Sequence, residues 1–270
     1  MSAADGPEGR RFLRSSGQHA GIEQDGLVAG AYVLTIGGAE QSHVNLARPE
    51  EVFYEYLRRI ANVVDLVPPA GAAVTALHLG AGALTVARYI QATRPGSLQY
   101  AVELERELLD FVLQKLPMPD GTRLETRIGD ARGELAALPP ELLFDVVILD
   151  IFSGPEAPEH IACREFYEEA AARLGPDGLL VINVGDEAAL TLVRSQVAAM
   201  REAVGSGALA DLVAFAETGM FAGRYPGNII LVGSKQPWPE AWTQALLARG
   251  PHPASVLRGV ELDPLSARPN

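Results

Sequence analysis

The chain has 270 residues, 48% of them apolar, and 34 acidic against 22 basic residues for a formal charge of −12. That balance argues against nucleic acid as the main partner, because phosphate binding needs clustered Lys and Arg, and it suits a cationic ligand. The single cysteine, Cys163, excludes an intrachain disulfide and any cysteine-cluster metal site, and no apolar stretch is long enough to cross a bilayer as a helix.

Taken in order, residues 1–17 are rich in Gly, Ser, Arg and acids and read as a disordered lead-in without an apolar signal core, so the cytoplasm is the expected compartment. Residues 18–48 contain short apolar runs broken by Asp25-Gly26 and Gly37-Gly38, both hairpin-turn signals, and predict a small antiparallel unit of two or three strands. Pro49 opens a predicted helix with Glu50 and Glu51 in its first turn. Val52, Tyr56, Ile60 and Val63 share one face of it and Tyr54 projects elsewhere. Pro68-Pro69 ends that element.

From Val74 to Glu105 the chain reads as half of a mononucleotide-binding βαβ unit: a buried strand, a glycine turn, a helix, a second strand and then acids. Gly80 and Gly82 fall where the first strand turns into the helix, allowing a tight turn and close approach of a ligand. Glu103 follows 23 residues after Gly80, where a carboxylate can accept from both ribose hydroxyls of an adenosine.

A crossover helix is predicted at 106–116, a short strand at 124–128, and a short helix at 133–138 that Pro139-Pro140 stops. The continuous run Phe144–Leu149 marks a central strand covered on both faces; it ends in Asp150 and a Pro- and Gly-containing loop over 151–160. A helix over 164–174, a Gly-Pro-Asp-Gly turn at 175–178, a strand over 179–184, a helix over 186–203 and a terminal antiparallel pair at 212–216 and 228–233 complete the pattern. The expected fold class is α/β: a class I methyltransferase-type Rossmann-like sheet over 49–235, preceded by the small β-unit and followed by a tail over 236–270. The dinucleotide dehydrogenase fold is the structural rival, but Thr85 stands where its third glycine belongs.

Several of these stretches, in this order, resemble the spermidine synthase (polyamine aminopropyltransferase) family between Gln41 and Ser234. Gln41, the PEEVFYEY helix with Tyr54, the GAGALT turn, Glu103-Leu104-Glu105, Gly129-Asp130-Ala131, the strand-ending Asp150 and Tyr225-Pro226-Gly227 each match a family motif. The resemblance implies a homodimer that binds decarboxylated S-adenosylmethionine as co-substrate, with no prosthetic group or metal, and transfers its aminopropyl group to putrescine or a related amine. It implies that Gln41, Gly80, Gly82, Glu103, Asp130 and Ala131 hold the donor, with Asp130 and Ala131 at the adenine. Asp150 would orient the amine and take its proton, assisted by Tyr54 and Tyr225, with Phe152 walling the channel.

Two departures stand out. Ala83 occupies the place of an Asp that holds the donor's amine, and Ser153 replaces the second carboxylate of the family's catalytic loop. They leave open an S-adenosylmethionine-dependent methyltransferase, since loss of an acid at 83 removes a repulsion toward the intact donor's carboxylate. They also leave open a degenerate nucleoside-binding or partner protein. The residues have plainer readings as well: Asp130 as a turn cap, Tyr54 as helix packing, Tyr225 as a turn aromatic, His78 as core and His160 as surface.

Overall fold

The structure is a computed structural model that describes residues 6–152 and 158–266, with only the backbone of Phe152. Two sheets organise it. The first is an antiparallel meander of β1 (Gly9–Leu13), β2 (Gln18–Gln24), β3 (Ala31–Ile36) and β4 (Ala39–Asn45). Within the expected disordered lead-in, whose residues 1–5 lie outside the described residues, Gly9–Leu13 is instead a strand that pairs with Gln18–Ile22 around a turn that Gly17 closes at φ +68°, and Leu13 is buried. The consecutive arginines and exposed Phe12 of GRRFL hide a strand whose buried anchor is its last residue.

The main elements follow as α1 (Glu55–Val64), β5 (Thr75–Leu79), α2 (Thr85–Thr93), β6 (Leu98–Glu103), α3 (Arg106–Lys115), β7 (Arg123–Ile128), α4 (Ala131–Ala137) and β8 (Phe144–Phe152). Then come α5 (Arg164–Ala172), β9 (Leu174–Asp186), α6 (Thr191–Gly205), β10 (Asp211–Ala216), α7 (Thr218–Phe221), β11 (Gly227–Ser234), α8 (Glu240–Arg249), β12 (Ser255–Arg258) and α9 (Asp263–Ser266). The helix expected from Pro49 starts only at Glu55. Asn45 Oδ1 accepts from the amides of Ala47 and Arg48 and fixes a turn there, and Tyr54 stays extended as the N-cap residue. Glu55, rather than Glu50 or Glu51, is the acid at the helix start. The 175–178 turn is absorbed into β9 as a break in register between Phe144/Leu174 and Val146/Leu179. The tail contributes β12, which pairs with β10 and covers the sheet edge.

The main sheet runs β7-β6-β5-β8-β9-β11-β10-β12. Strands β5 to β9 are parallel, and β11 enters antiparallel between β9 and β10. Alternation along each central strand feeds two cores. Leu77, Leu79, Val147, Leu149, Leu180 and Ile182 enter one layer, while Ala76, Val146, Ile148, Leu179 and Val181 enter the other. A third core seats the meander on the main domain, with Leu13, Ile22, Leu34 and Val44 against Ala87, Leu108, Phe111 and Val112. The chain moves outward from β5 to β7 and then returns to β8, so the sheet order reverses between β5 and β8. A crevice opens outside the carboxyl ends of strands at such a point. Among the described residues no helix is long and apolar enough to cross a membrane.

His78 lies inside β5, is buried, and shares a 3.0 Å hydrogen bond with Gln99. Burial pulls its imidazole down to about 4, partly opposed by Gln99. A histidine whose folded pKa lies below its unfolded value, about 6.5, contributes stability that is present above pH ~6.5 and is lost as pH falls toward 4. Urea midpoints of the wild type should therefore drop more between pH 7 and pH 5 than those of His78→Gln, which keeps an amide donor and does not titrate. Parallel pH dependences would remove His78 as the acid-sensitive group.

Candidate functional site

The crevice at the switch point is a cavity of about 620 Å³, floored by the ends of β5 to β9 and bounded on its outer side by β4 and the start of α1. Each wall follows from a local rule. After β5 the chain turns at Gly80, whose φ is +92°, and a Cβ there would lie 2.5 Å from the Asp150 carbonyl oxygen. Only glycine permits that approach of two strand ends. Gly82 and Leu84 continue with positive φ, and Leu84 is the N-cap residue of α2.

Glu103 ends β6 beside this turn. Its Oε2 accepts from the Ala81 amide at 3.1 Å and its Oε1 from the Glu105 amide at 3.0 Å. The carboxylate is thus fixed at the cavity wall with lone pairs left for a ligand. Asp130 caps α4, as the plainer reading anticipated: its Oδ1 accepts from the amides of Arg132 at 3.1 Å and Gly133 at 3.0 Å. Its Oδ2 meets His160 Nε2 at 2.7 Å. Partial burial pushes this carboxyl up, but the two amides and His160 outweigh it and hold Asp130 below the usual carboxylate range.

Asp150 sits at the mouth of β8. Asn183 Nδ2 donates to its Oδ1 at 2.8 Å, and Asn228 Nδ2 donates to Asn183 Oδ1 at 3.0 Å. Burial raises the Asp150 carboxyl above its ordinary value, with the Asn183 bond opposing. Two tyrosines from the start of α1 also line the cavity. Tyr54 donates to Glu40 at 2.6 Å and Tyr56 donates to the Gln41 carbonyl at 3.0 Å. Both phenols are pushed up, Tyr54 by burial and then Glu40, Tyr56 by burial and then the charge of Asp150. Both phenols therefore keep their protons at neutral pH and can donate hydrogen bonds.

Eight of the nine residues expected from sequence therefore meet in one cavity: Gln41, Tyr54, Gly80, Gly82, Glu103, Asp130, Ala131 and Asp150. Tyr225 does not, and that expectation is corrected. The residue is 43% exposed and its hydroxyl donates to Glu217, the N-cap of α7. Ala83 does not line the cavity either; it is packed beside Ala81, Leu84 and Ala87, with its amide 3.4 Å from Ser42 Oγ. Ser153, Glu156 and the side chain of Phe152 lie outside the described residues.

Sequence reading missed Tyr56, assigned to the packed face of the helix, and both asparagines. Asn183 carried a usable signal, since an amide inside the apolar run LLVINV must find a partner. Asp186 and Glu187 also reach the cavity. Asp186 is held by the amides of Glu187 and Val193, both at 2.8 Å. Among the described residues the lining thus carries six carboxylates (Glu40, Glu103, Asp130, Asp150, Asp186 and Glu187) and no Lys or Arg.

A strand order that reverses between β5 and β8, with an antiparallel strand inserted at the far side, defines a class I methyltransferase-type protein. No protein-family model matches the chain. It is similar over 96% of its length, and over 93% of the other chain, to the crystal structure of a probable spermidine synthase from Corynebacterium glutamicum, with TM-score 0.83 and 29% identity. The Thermotoga maritima spermidine synthase shares the fold at TM-score 0.59 and 16% identity, covering 87% of this chain and 74% of that one. Human methyltransferase-like protein 13, solved in complex with SAH, shares it at 0.56 and 19%, covering 81% and 95%. A polyamine aminopropyltransferase of Neisseria meningitidis serogroup A is 22% identical over 174 residues, 64% of each chain, so the similarity spans about two thirds of that relative. Within that fold, the chain is matched over nearly its whole length by a probable spermidine synthase and is weakly similar in sequence to a polyamine aminopropyltransferase.

Proposed function

We propose that this protein is a transferase that binds an adenosyl sulfonium and moves the aminopropyl group of decarboxylated S-adenosylmethionine to an amine such as putrescine. The observation that carries the reading is the charge of the cavity: six carboxylates and no Lys or Arg among its described lining. A sulfonium bearing a primary ammonium, and an amine acceptor, are both cationic. The intact donor adds a carboxylate for which this lining offers no cationic side chain. A spermidine synthase of the same fold was solved with the transition-state analogue AdoDATO, which supports an adenosyl ligand here.

Gly80 and Gly82 let the ligand approach the backbone, Glu103 accepts from the ribose hydroxyls, and Asp130 with Ala131 borders the adenine. The acceptor's nitrogen attacks the carbon next to sulfur. The new N–C bond forms as the C–S bond breaks, its electron pair goes to sulfur and yields a neutral thioether, and the nitrogen's proton passes to Asp150. A buried carboxylate with a raised pKa is a stronger base than an exposed one. Alignment of the two reactants supplies the rest of the acceleration. The assembly is proposed to be a homodimer acting in the cytoplasm.

Calorimetric titration with decarboxylated and intact S-adenosylmethionine tests the reading. The decarboxylated donor should bind at least about tenfold more tightly, a difference near 1.4 kcal/mol. Tighter binding of the intact donor, with methyl transfer, would make the protein a methyltransferase; binding of neither would make it a non-catalytic relative.

A further inference from the structure

The cavity contains a hydrogen-bonded chain that no motif of the sequence announces. Asn228 on β11 donates to Asn183 on β9, and Asn183 donates to Asp150 on β8. The register explains how it forms. Asn183 lies opposite Ile230 and Asn228 opposite Gly185, so the two asparagines are diagonal neighbours on one face of the sheet. Asn183 is 3% exposed, in the middle of a strand whose other central residues are apolar. An amide in that position is costly unless both of its ends are satisfied.

The direction of the chain follows from donor and acceptor counts. An ionised carboxylate only accepts, so Asn183 must turn its NH₂ group toward Asp150. Its carbonyl oxygen then points at β11, where a donor is required. Asn228 supplies one. Had position 228 carried a carboxylate, Asn183 would have to turn over and present its carbonyl to Asp150, and the two could bond only with a proton on Asp150. The residue on β11 thus decides the orientation of the amide on β9, and through it the state of the acid on β8.

We propose that Asn183 and Asn228 are positioning residues: a directional amide relay that keeps Asp150 ionised and engages its Oδ1, leaving Oδ2 to receive the proton of the attacking amine. The relay rests on the reading of Asp150 as the base of an aminopropyl transfer. It gives the site a way to retain an ionised acid in a position where burial opposes the charge. It also fixes the rotamer of Asp150, since its Oδ1 is tied to a strand-borne amide rather than to a loop. The ionisable side chains that line the same cavity are Glu40 on β4, Tyr54 and Tyr56 at the start of α1, Glu103 at the end of β6, Asp130, His160, and Asp186 and Glu187 at the end of β9, and of these Tyr56 senses the charge of Asp150. The Gly80 turn presents only backbone to it.

The test is a titration of Asp150 itself, followed by ¹³C NMR of the carboxyl carbons of aspartate-labelled protein and assigned by comparison with Asp150→Asn. In Asn228→Asp the Asp150 midpoint should rise by about one pH unit or more, both from the reversed amide and from the added negative charge. In the near-isosteric Asn228→Leu it should rise less, because the relay loses its lock but gains no charge. The same ranking should appear in turnover: the acidic limb of the kcat profile moves up and kcat at neutral pH falls, while donor affinity stays within about twofold. An Asp150 midpoint unchanged in both variants overturns the relay. Asn228→Leu decides the point alone if the aspartate variant does not fold. If the wild type transfers no aminopropyl group to any amine, the functional reading fails, whereas the NMR titration still decides the relay.

Discussion

Asp150→Asn should lower aminopropyl transfer by about 10²–10⁴-fold, the range that a positioned general base contributes, while leaving donor affinity nearly unchanged. The substitution is close to isosteric. The new amide oxygen can still accept from Asn183 Nδ2, so the chain of amides through Asn228 survives. What is lost is the ability to take a proton. Stability should move the other way. The folded pKa of Asp150 is raised by burial, so its contribution to stability is fully present below its unfolded pKa and is lost as pH rises through the folded one. At neutral pH the ionised acid is a net cost, and Asp150→Asn should melt higher than the wild type at pH 7. At acid pH the protonated wild type should regain the difference. Steady-state kinetics, calorimetry with the donor and melting curves at the two pH values check this together. Retained turnover removes Asp150 as the base; a lower melting temperature at neutral pH removes the argument from its burial.

The parts of the site that could be read from sequence are those where one residue meets one local demand. Gly80 is needed by a turn, Glu103 stands at a strand end at a defined distance from it, and Asp150 closes an apolar strand. Such features depend on backbone conformation and periodicity, which are local. The central sheet was legible for the same reason: Phe144–Leu149 and Leu179–Val184 are apolar runs interrupted only by Asp145 and Asn183. What could not be read depended on pairings between distant segments. Asn183 and Asn228 are 45 residues apart and meet only because β11 enters antiparallel beside β9. Tyr54 and Tyr56 both reach the cavity because the helix starts at Glu55, several residues later than Pro49 suggests. With Tyr54 outside the helix as its N-cap residue, the 3.6-residue period no longer separates the two rings. Tyr225 failed for a related reason. Glu217 caps α7 and takes up its hydroxyl, and Tyr225 is not among the residues that line the cavity. Ala83, read as the loss of an amine contact, faces the third core, and the acids of the cavity come instead from Glu40, Asp186 and Glu187.

Gly80→Ala should cost about 2–5 kcal/mol of stability, combining about 1–2 for a side chain at positive φ with about 1–3 for overpacking, and should abolish donor binding. At Gly80 three strands converge. Its amide donates to the Val102 carbonyl on β6 at 3.0 Å, it directly follows β5, and a Cβ on it would meet the Asp150 carbonyl oxygen at 2.5 Å and the carbonyl carbon at 3.0 Å. Those are backbone atoms of β8 and cannot rotate aside. Relief requires β5 and β8 to separate at their carboxyl ends. That movement would carry Ala81 away from Glu103 and shift Asp150 off Asn183, so binding and chemistry should fail together. Gly82→Ala is the control. Gly82 also has a positive φ, +48°, but its Cβ would meet only the Ser42 hydroxyl, at 3.1 Å. A side-chain oxygen can give by a few tenths of an ångström, so that variant should lose only about 1–2 kcal/mol and keep measurable donor affinity. Urea unfolding and calorimetry on the pair separate a general intolerance of the turn from the convergence at Gly80. Equal losses in both variants would place the constraint in the turn's backbone angles alone and withdraw the claim that the close approach to the Asp150 carbonyl is what demands glycine at position 80.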